Sequence, residues 1–165
     1  MTVRTTKILL VFAVAFYYSL VVFNNLTDYG SNYQFVRHTL TMDTTFPGNR
    51  GMWRAIHAPE MTTIFYLTII GLEIAVMLLA WTGGVRMARS LKRDSSTFHL
   101  SKRIAIIALT LSLLQWLVAF LSVGGEWFLF WQSTAWNGQT AAFHMFTIVG
   151  IVLILVVLPE SQDQP

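Results

Sequence analysis

The sequence has no cysteine, only four prolines and few charges. Without cysteine there is no disulfide framework, no thiolate nucleophile and no cysteine-bound metal. Charged residues make up 12% of the 165, whereas a soluble domain carries about 25%. The shortfall is concentrated in four stretches, residues 8–23, 62–81, 104–123 and 140–158. The first holds no ionisable group except Tyr17 and Tyr18, and the second one charge, Glu73. The third holds no charge, and the fourth only His144.

Apolar residues reach 55%. Each of the four stretches is close to the roughly 20 residues a helix needs to cross about 30 Å of hydrocarbon. Backbone in lipid must satisfy its own hydrogen bonds, so these segments are predicted to be helices. None shows the period-two polarity of a membrane barrel strand. A soluble bundle is excluded because Ile104–Leu109 and Ile148–Leu158 offer no polar face. A cleaved leader fits Arg4 and Lys7, but the run continues through Val21, Val22 and Phe23 without a small-residue cleavage site. The expected fold is therefore an all-α membrane protein: a four-transmembrane-helix bundle forming a single integral membrane domain over 1–165.

Charge orients the bundle. Arg86, Arg89, Lys92, Arg93, Lys102 and Arg103 lie between the second and third spans against one acid, Asp94. The connection 124–139 holds no Lys or Arg. Short basic loops stay cytoplasmic, so both termini are expected in the cytoplasm and both aromatic-rich connections outside. The same logic removes a nucleic-acid partner, since the positive charges abut span ends. The partners expected instead are the lipid bilayer, including anionic headgroups, and a homo-oligomer or membrane complex. Gly71 and Gly150, each near a helix midpoint, offer close helix contact for such an assembly.

The first outer connection contains two short predicted helices, Asn32–Met42 and Met52–Ile56, separated by a turn at Phe46-Pro47-Gly48-Asn49. The second carries three tryptophans that suit the headgroup level. Both are rich in aromatic rings and carboxamides. They are expected to pack into one outer cap, with Asn24, Asn25, Asp28 and Arg54 meeting Glu126, Trp131, Gln132 and Asn137.

The motifs here are distinctive. Asn24-Asn25, Asp28-Tyr29, Ser31-Asn32, Phe35-Val36 and His38 are followed by Met42-Asp43, by Arg54-Ala55-Ile56 and by the acid in span two. Gly124-Gly125-Glu126-Trp127-Phe128, Trp131-Gln132-Ser133 and Trp136-Asn137-Gly138-Gln139 complete the pattern. In these residues the chain resembles a family of small bacterial integral membrane proteins, domain of unknown function 2165, over roughly Lys7 to Leu158. The resemblance implies bacterial origin and the inner membrane, and it brings no activity, cofactor or catalytic residue.

Glu73 is the most informative single residue. A charged group near the bilayer centre costs a few kcal/mol or more and is usually functional or paired. Tyr66 lies on its helical face. Ser112, Gln115, Ala119 and Ser122 form a stripe on span three, with Gln115 within about 5 Å of the depth of Glu73. Two readings follow. Glu73 and Gln115 tie helices together, or Glu73, Gln115, Tyr66, Tyr17, Tyr18 and His144 line an intramembrane polar pocket open to the outside.

No catalytic constellation is present, and no Walker, Rossmann or Ser-His-Asp pattern. His38, Asp43, His57, Glu60 and Glu126 have no metal-ligand spacing. The expected function is non-enzymatic: a polar-solute or proton pathway, or an accessory subunit. The rival is a subunit that binds a quinone or haem among Tyr17, Tyr18, Trp116, Gln115 and His144.

Overall fold

A computed structural model describes residues 1–160. Helix α1 spans Thr2–Thr27 and α2 spans Tyr29–Thr41. A single 3₁₀ turn, Met52–Arg54, precedes α3 at Pro59–Arg89. The short α4 (Ser95–Ser101) leads into α5 (Arg103–Leu114). The winding then changes to a π-helix over Gln115–Trp127. A 3₁₀ turn at Phe130–Gln132 precedes α6, Gln139–Val157. Among the described residues there is no strand, and four helices are long and apolar enough to cross a membrane.

The helices outrun the predicted spans. The first continues through Asn24 and Asn25 to Thr27, where Asp28 closes α1 and opens α2. Pro59 starts α3 at a position where its missing N–H costs nothing. The Asp94 carboxylate caps α4 by accepting the Thr97 N–H at 2.8 Å. Hydrogen bonds from the Ser96 hydroxyl, then from the Thr97 backbone and hydroxyl, hold that carboxyl well below the usual range. The second predicted short helix, Met52–Ile56, is only the 3₁₀ turn.

Helix α3 is central, packed against α1 on one side and α5 on the other, while α6 lies against α5 and the π-helix. The contact with α5 is backbone-close at Gly83, where an added Cβ would stand 2.5 Å from the Ala105 nitrogen. Ala15, Ala80 and Ala108 form a layer of small buried residues. At the end bearing the termini, Val11, Val14, Val76, Leu109, Val149, Val152 and Val156 fill the core. At the opposite, aromatic end, Val36, Leu40 and Met42 pack on Tyr66, Ile70 and Phe128. Around the bundle Phe16, Leu20, Ile64, Leu67, Leu78, Phe143, Ile151 and Ile154 are exposed. A continuous apolar exterior of this kind needs lipid.

The π-helix alters one expectation. The stripe Ser112, Gln115, Ala119, Ser122 assumed α-helical spacing. Ser112 and Gln115 are buried, but Ser122 is exposed and its hydroxyl returns to the Leu117 carbonyl five residues back. Wider winding from Gln115 onward rotates the later positions away from the bundle. Gly124 belongs to this turn, because the Phe130 ring occupies the space a Cβ would take.

Gly71 and Gly150 are not used for close contact within the chain, as distinct from the contact between chains expected of them. Nothing lies within 4 Å of a Cβ at Gly71, and one at Gly150 would meet only Leu113 at 3.5 Å.

Candidate functional site

Glu73 is 3% exposed, in the middle of α3. Asn25, at the end of α1, donates its Nδ2 to Glu73 Oε2 at 2.6 Å. Gln115, the first residue of the π-helix, donates Nε2 to Oε1 at 3.4 Å. Three helices thus converge on one carboxyl group. Asn25 is itself held in place. Its Oδ1 accepts from Asn32 Nδ2 at 2.7 Å and from the Tyr66 hydroxyl at 3.0 Å. The donors of this hydrogen-bond chain run from Asn32 and Tyr66 through Asn25 to Glu73.

Glu73 forms the floor of a cavity of about 310 Å³. Asn24 and Asn32, both exposed, stand at its mouth toward the aromatic end. Tyr66, Trp116, Phe120 and Phe35 supply aromatic walls, and Gly138 and Ala141 the flank from the start of α6. No Lys, Arg or His lines it, and among the described residues no ion pair involves Glu73. Toward the other end the apolar core closes the bundle.

Gln115 gives the site two hydrogen-bonding states. Its side-chain oxygen is buried with no partner, and its bond to Glu73 is long. Turning the amide over would present that oxygen to a protonated Glu73, which would then donate an O–H to it. The amide as placed serves the carboxylate. Asn25 can donate in both states.

Of the six residues expected in the pocket, Glu73 and Tyr66 line the cavity and Gln115 lies behind Glu73. Tyr18 belongs to a neighbouring buried knot, bonded to the Ser112 hydroxyl at 2.7 Å and accepting the Trp116 indole N–H at 3.0 Å. Tyr17 is half-buried with its ring edge-on to Tyr18. His144 is exposed on the outer face of α6 and does not line this cavity. Only Trp116 of the residues considered for a quinone or haem does so. Asn25 and Asn32 were not read from sequence as partners of Glu73. The signal was available in the twin asparagines directly after Phe23, but ending the span there assigned them to a loop.

The two aromatic-end connections meet. Arg54 donates to the backbone carbonyl of Trp127 at 3.0 Å and faces that of Glu126 at 3.4 Å, lying over the rings of Trp53 and Trp127. Gln132 accepts the Phe46 N–H at 3.0 Å, and Trp131 packs edge-on to Phe46. Asn137 bonds within its own connection, to the Trp131 carbonyl. The expected set divides here. Asn24 and Asn25 serve the Glu73 cavity, and Asp28 is exposed at the α1–α2 junction. His38 stacks on Trp136 with ring centroids 4.6 Å apart and pairs with Asp43. Among the described residues no three His, Cys, Asp or Glu gather as metal ligands.

The opposite end has a cluster that sequence reading missed. Glu160 Oε1 lies 2.7 Å from Lys7 Nζ and 3.0 Å from Lys102 Nζ, and both amines donate also to the Leu158 carbonyl. Arg4 approaches Glu160 Oε2 at 3.7 Å. Burial pushes the Glu160 carboxyl up, but the hydrogen bonds and charges of Lys7 and Lys102 outweigh it and hold the group below its ordinary value.

These features define a class: a four-span helical membrane protein with a carboxyl group lining a cavity among its helices. The chain belongs to the family described as predicted small integral membrane proteins, domain of unknown function 2165, which matches residues 3–159. No curated protein and no solved structure matches it.

Proposed function

We propose that the protein is a non-enzymatic inner-membrane subunit of bacterial origin that takes up a polar solute or a proton at Glu73 from the outer face. The supporting observation is the convergence of Asn25 and Gln115 on Glu73 at the floor of a cavity whose mouth is marked by Asn24 and Asn32. The apolar core beyond Glu73 favours a dead-end binding pocket over a continuous channel, so transport would require the helices to move or a partner to complete the path. The basic cluster between Arg86 and Arg103 supports cytoplasmic termini. A homo-oligomer or a larger complex is the assembly in which such a subunit would act.

Two measurements test this. Topology reporters fused after Ser96 and after Gln139 are expected on opposite sides, the first in the cytoplasm; a shared side refutes the orientation. In oriented membrane vesicles, a water-soluble carbodiimide should modify Glu73 from the outer face only. Labelling from the inner face alone, or equally from both, would overturn the outward pocket. The variant Glu73→Gln fixes the background.

A further inference from the structure

A second cavity adjoins the first. It measures about 430 Å³ and is lined mainly by apolar side chains from α2, α3 and the π-helix, including Leu40, Ile64, Leu72, Val118 and Val123, together with Thr39 and Thr68. Phe35, Val36, Ile69 and Phe120 line both cavities. Phe35 and Phe120 are stacked, with centroids 6.5 Å apart and planes 22° apart, and with Val36 and Ile69 they stand between the two cavities. Ile64, Leu72 and Val118 are among the exposed apolar residues of the lipid-facing surface. The second cavity is therefore reachable from hydrocarbon, whereas the first is reached past asparagines.

The head-group preference follows from charge. Glu73 has amide donors but no cationic partner among the described residues, and a buried carboxylate left with partial charges alone is poorly compensated. A cation of small size would complete it. Tyr66, Trp116 and Phe120 line the same cavity as Glu73, and aromatic rings of this kind can attract an ammonium group. A phosphate or carboxylate head would meet Glu73 with like charge and find no Lys or Arg. The second cavity is lined mainly by apolar side chains, with Thr39 and Thr68 bearing its hydroxyls, and suits one alkyl chain.

We propose that the two cavities hold one amphiphile from the membrane: a protonated amine at Glu73 and its alkyl chain beyond the Phe35–Phe120 pair. This rests on the reading of Glu73 as a solute site and adds the chemical class of the solute. The side chains at the partition must separate, or the chain pass beside them, for both parts to be occupied at once.

The test uses the full chain in phosphatidylcholine nanodiscs with radiolabelled dodecylamine, and with propylamine and dodecanoate as competitors. Saturable binding near one dodecylamine per chain is expected. Propylamine should compete at least a hundredfold less well, and dodecanoate not at all. Glu73→Gln should weaken dodecylamine at least tenfold. Ala119→Leu, which fills the apolar cavity, should weaken dodecylamine similarly while leaving propylamine unchanged. Equal competition by dodecanoate overturns the amine preference, and no saturable dodecylamine binding overturns the whole proposal. If propylamine binds as well as dodecylamine through Glu73, the amphiphile is wrong and the polar-solute reading stands. Inner-face carbodiimide labelling would instead remove that reading. The comparison among ligands on the unaltered protein needs no variant, so it holds even if a substitution prevents folding.

Discussion

Asn25 and Gln115 both touch Glu73, yet they are not equivalent. Asn25 Nδ2 bonds to Glu73 at 2.6 Å, while its oxygen accepts from two further side chains. Gln115 offers a long bond and keeps an unmatched oxygen. Losing one partner of a buried polar pair costs about 1–3 kcal/mol, whereas removing a poorly matched group costs much less. Asn25→Leu is therefore expected to destabilise by about 2–3 kcal/mol and Gln115→Leu by about 1 or less. Asn24→Leu, at an exposed position, should stay within about 0.5 kcal/mol. Thermal unfolding in one detergent ranks the three, and a larger loss for Gln115 than for Asn25 would contradict the bonding described. At this scale the sequence exposed Glu73, because a lone acid in an apolar run stands out. It showed Asn25 less directly, because the role of that residue depends on where α1 ends and how α2 folds back.

Among the helices, two glycines on α3 separate packing from mere flexibility. Gly83 lies against the α5 backbone, and a Cβ there would need Ala105 to move. Gly71 faces open space. Replacing glycine with alanine in a helix favours the helix by up to about 1 kcal/mol when nothing is in the way. Gly71→Ala should thus be neutral or stabilising. Gly83→Ala should cost about 1–3 kcal/mol, as overpacking does. Equal melting temperatures for the two variants would show that the α3–α5 approach is looser than drawn. The spans themselves were legible, because hydropathy over 20 residues is a local property. The change of winding at Gln115 was not. Its visible consequence is Ser122 turned outward, and the Phe130 ring packed against Gly124 is a contact that no local pattern encodes.

The whole molecule is tied at the end that carries its termini. Lys7 belongs to α1, Lys102 sits at the start of α5, and Glu160 follows α6. One carboxylate therefore joins three helices. Arg4 adds the loop after α3, donating to the Arg93 carbonyl at 2.6 Å. Lys102 is fully buried and Lys7 is 3% exposed. Removing the acid would leave two buried ammonium groups without their counter-charge, which costs about 3–5 kcal/mol. Glu160→Gln is accordingly expected to lower stability by that amount at pH 7.

The same cluster sets an acid dependence whose sign can be worked out. The Glu160 carboxyl lies below its ordinary value in the folded protein, and the unfolded reference for Glu is about 4.3. Its contribution is complete above that reference and is lost as pH falls through the lower folded value. Among the described residues the charged groups facing it are Arg4, Lys7 and Lys102. The melting temperature should be level from neutral pH down to about 5 and then fall. Glu160→Gln should start lower and fall less steeply over the same interval. A variant curve parallel to that of the unaltered protein would assign the acid sensitivity to other carboxylates. Replacing Lys7 and Lys102 with Met together with Glu160→Leu completes the test: if buried charge is the cause, the triple variant should recover stability that the single one loses.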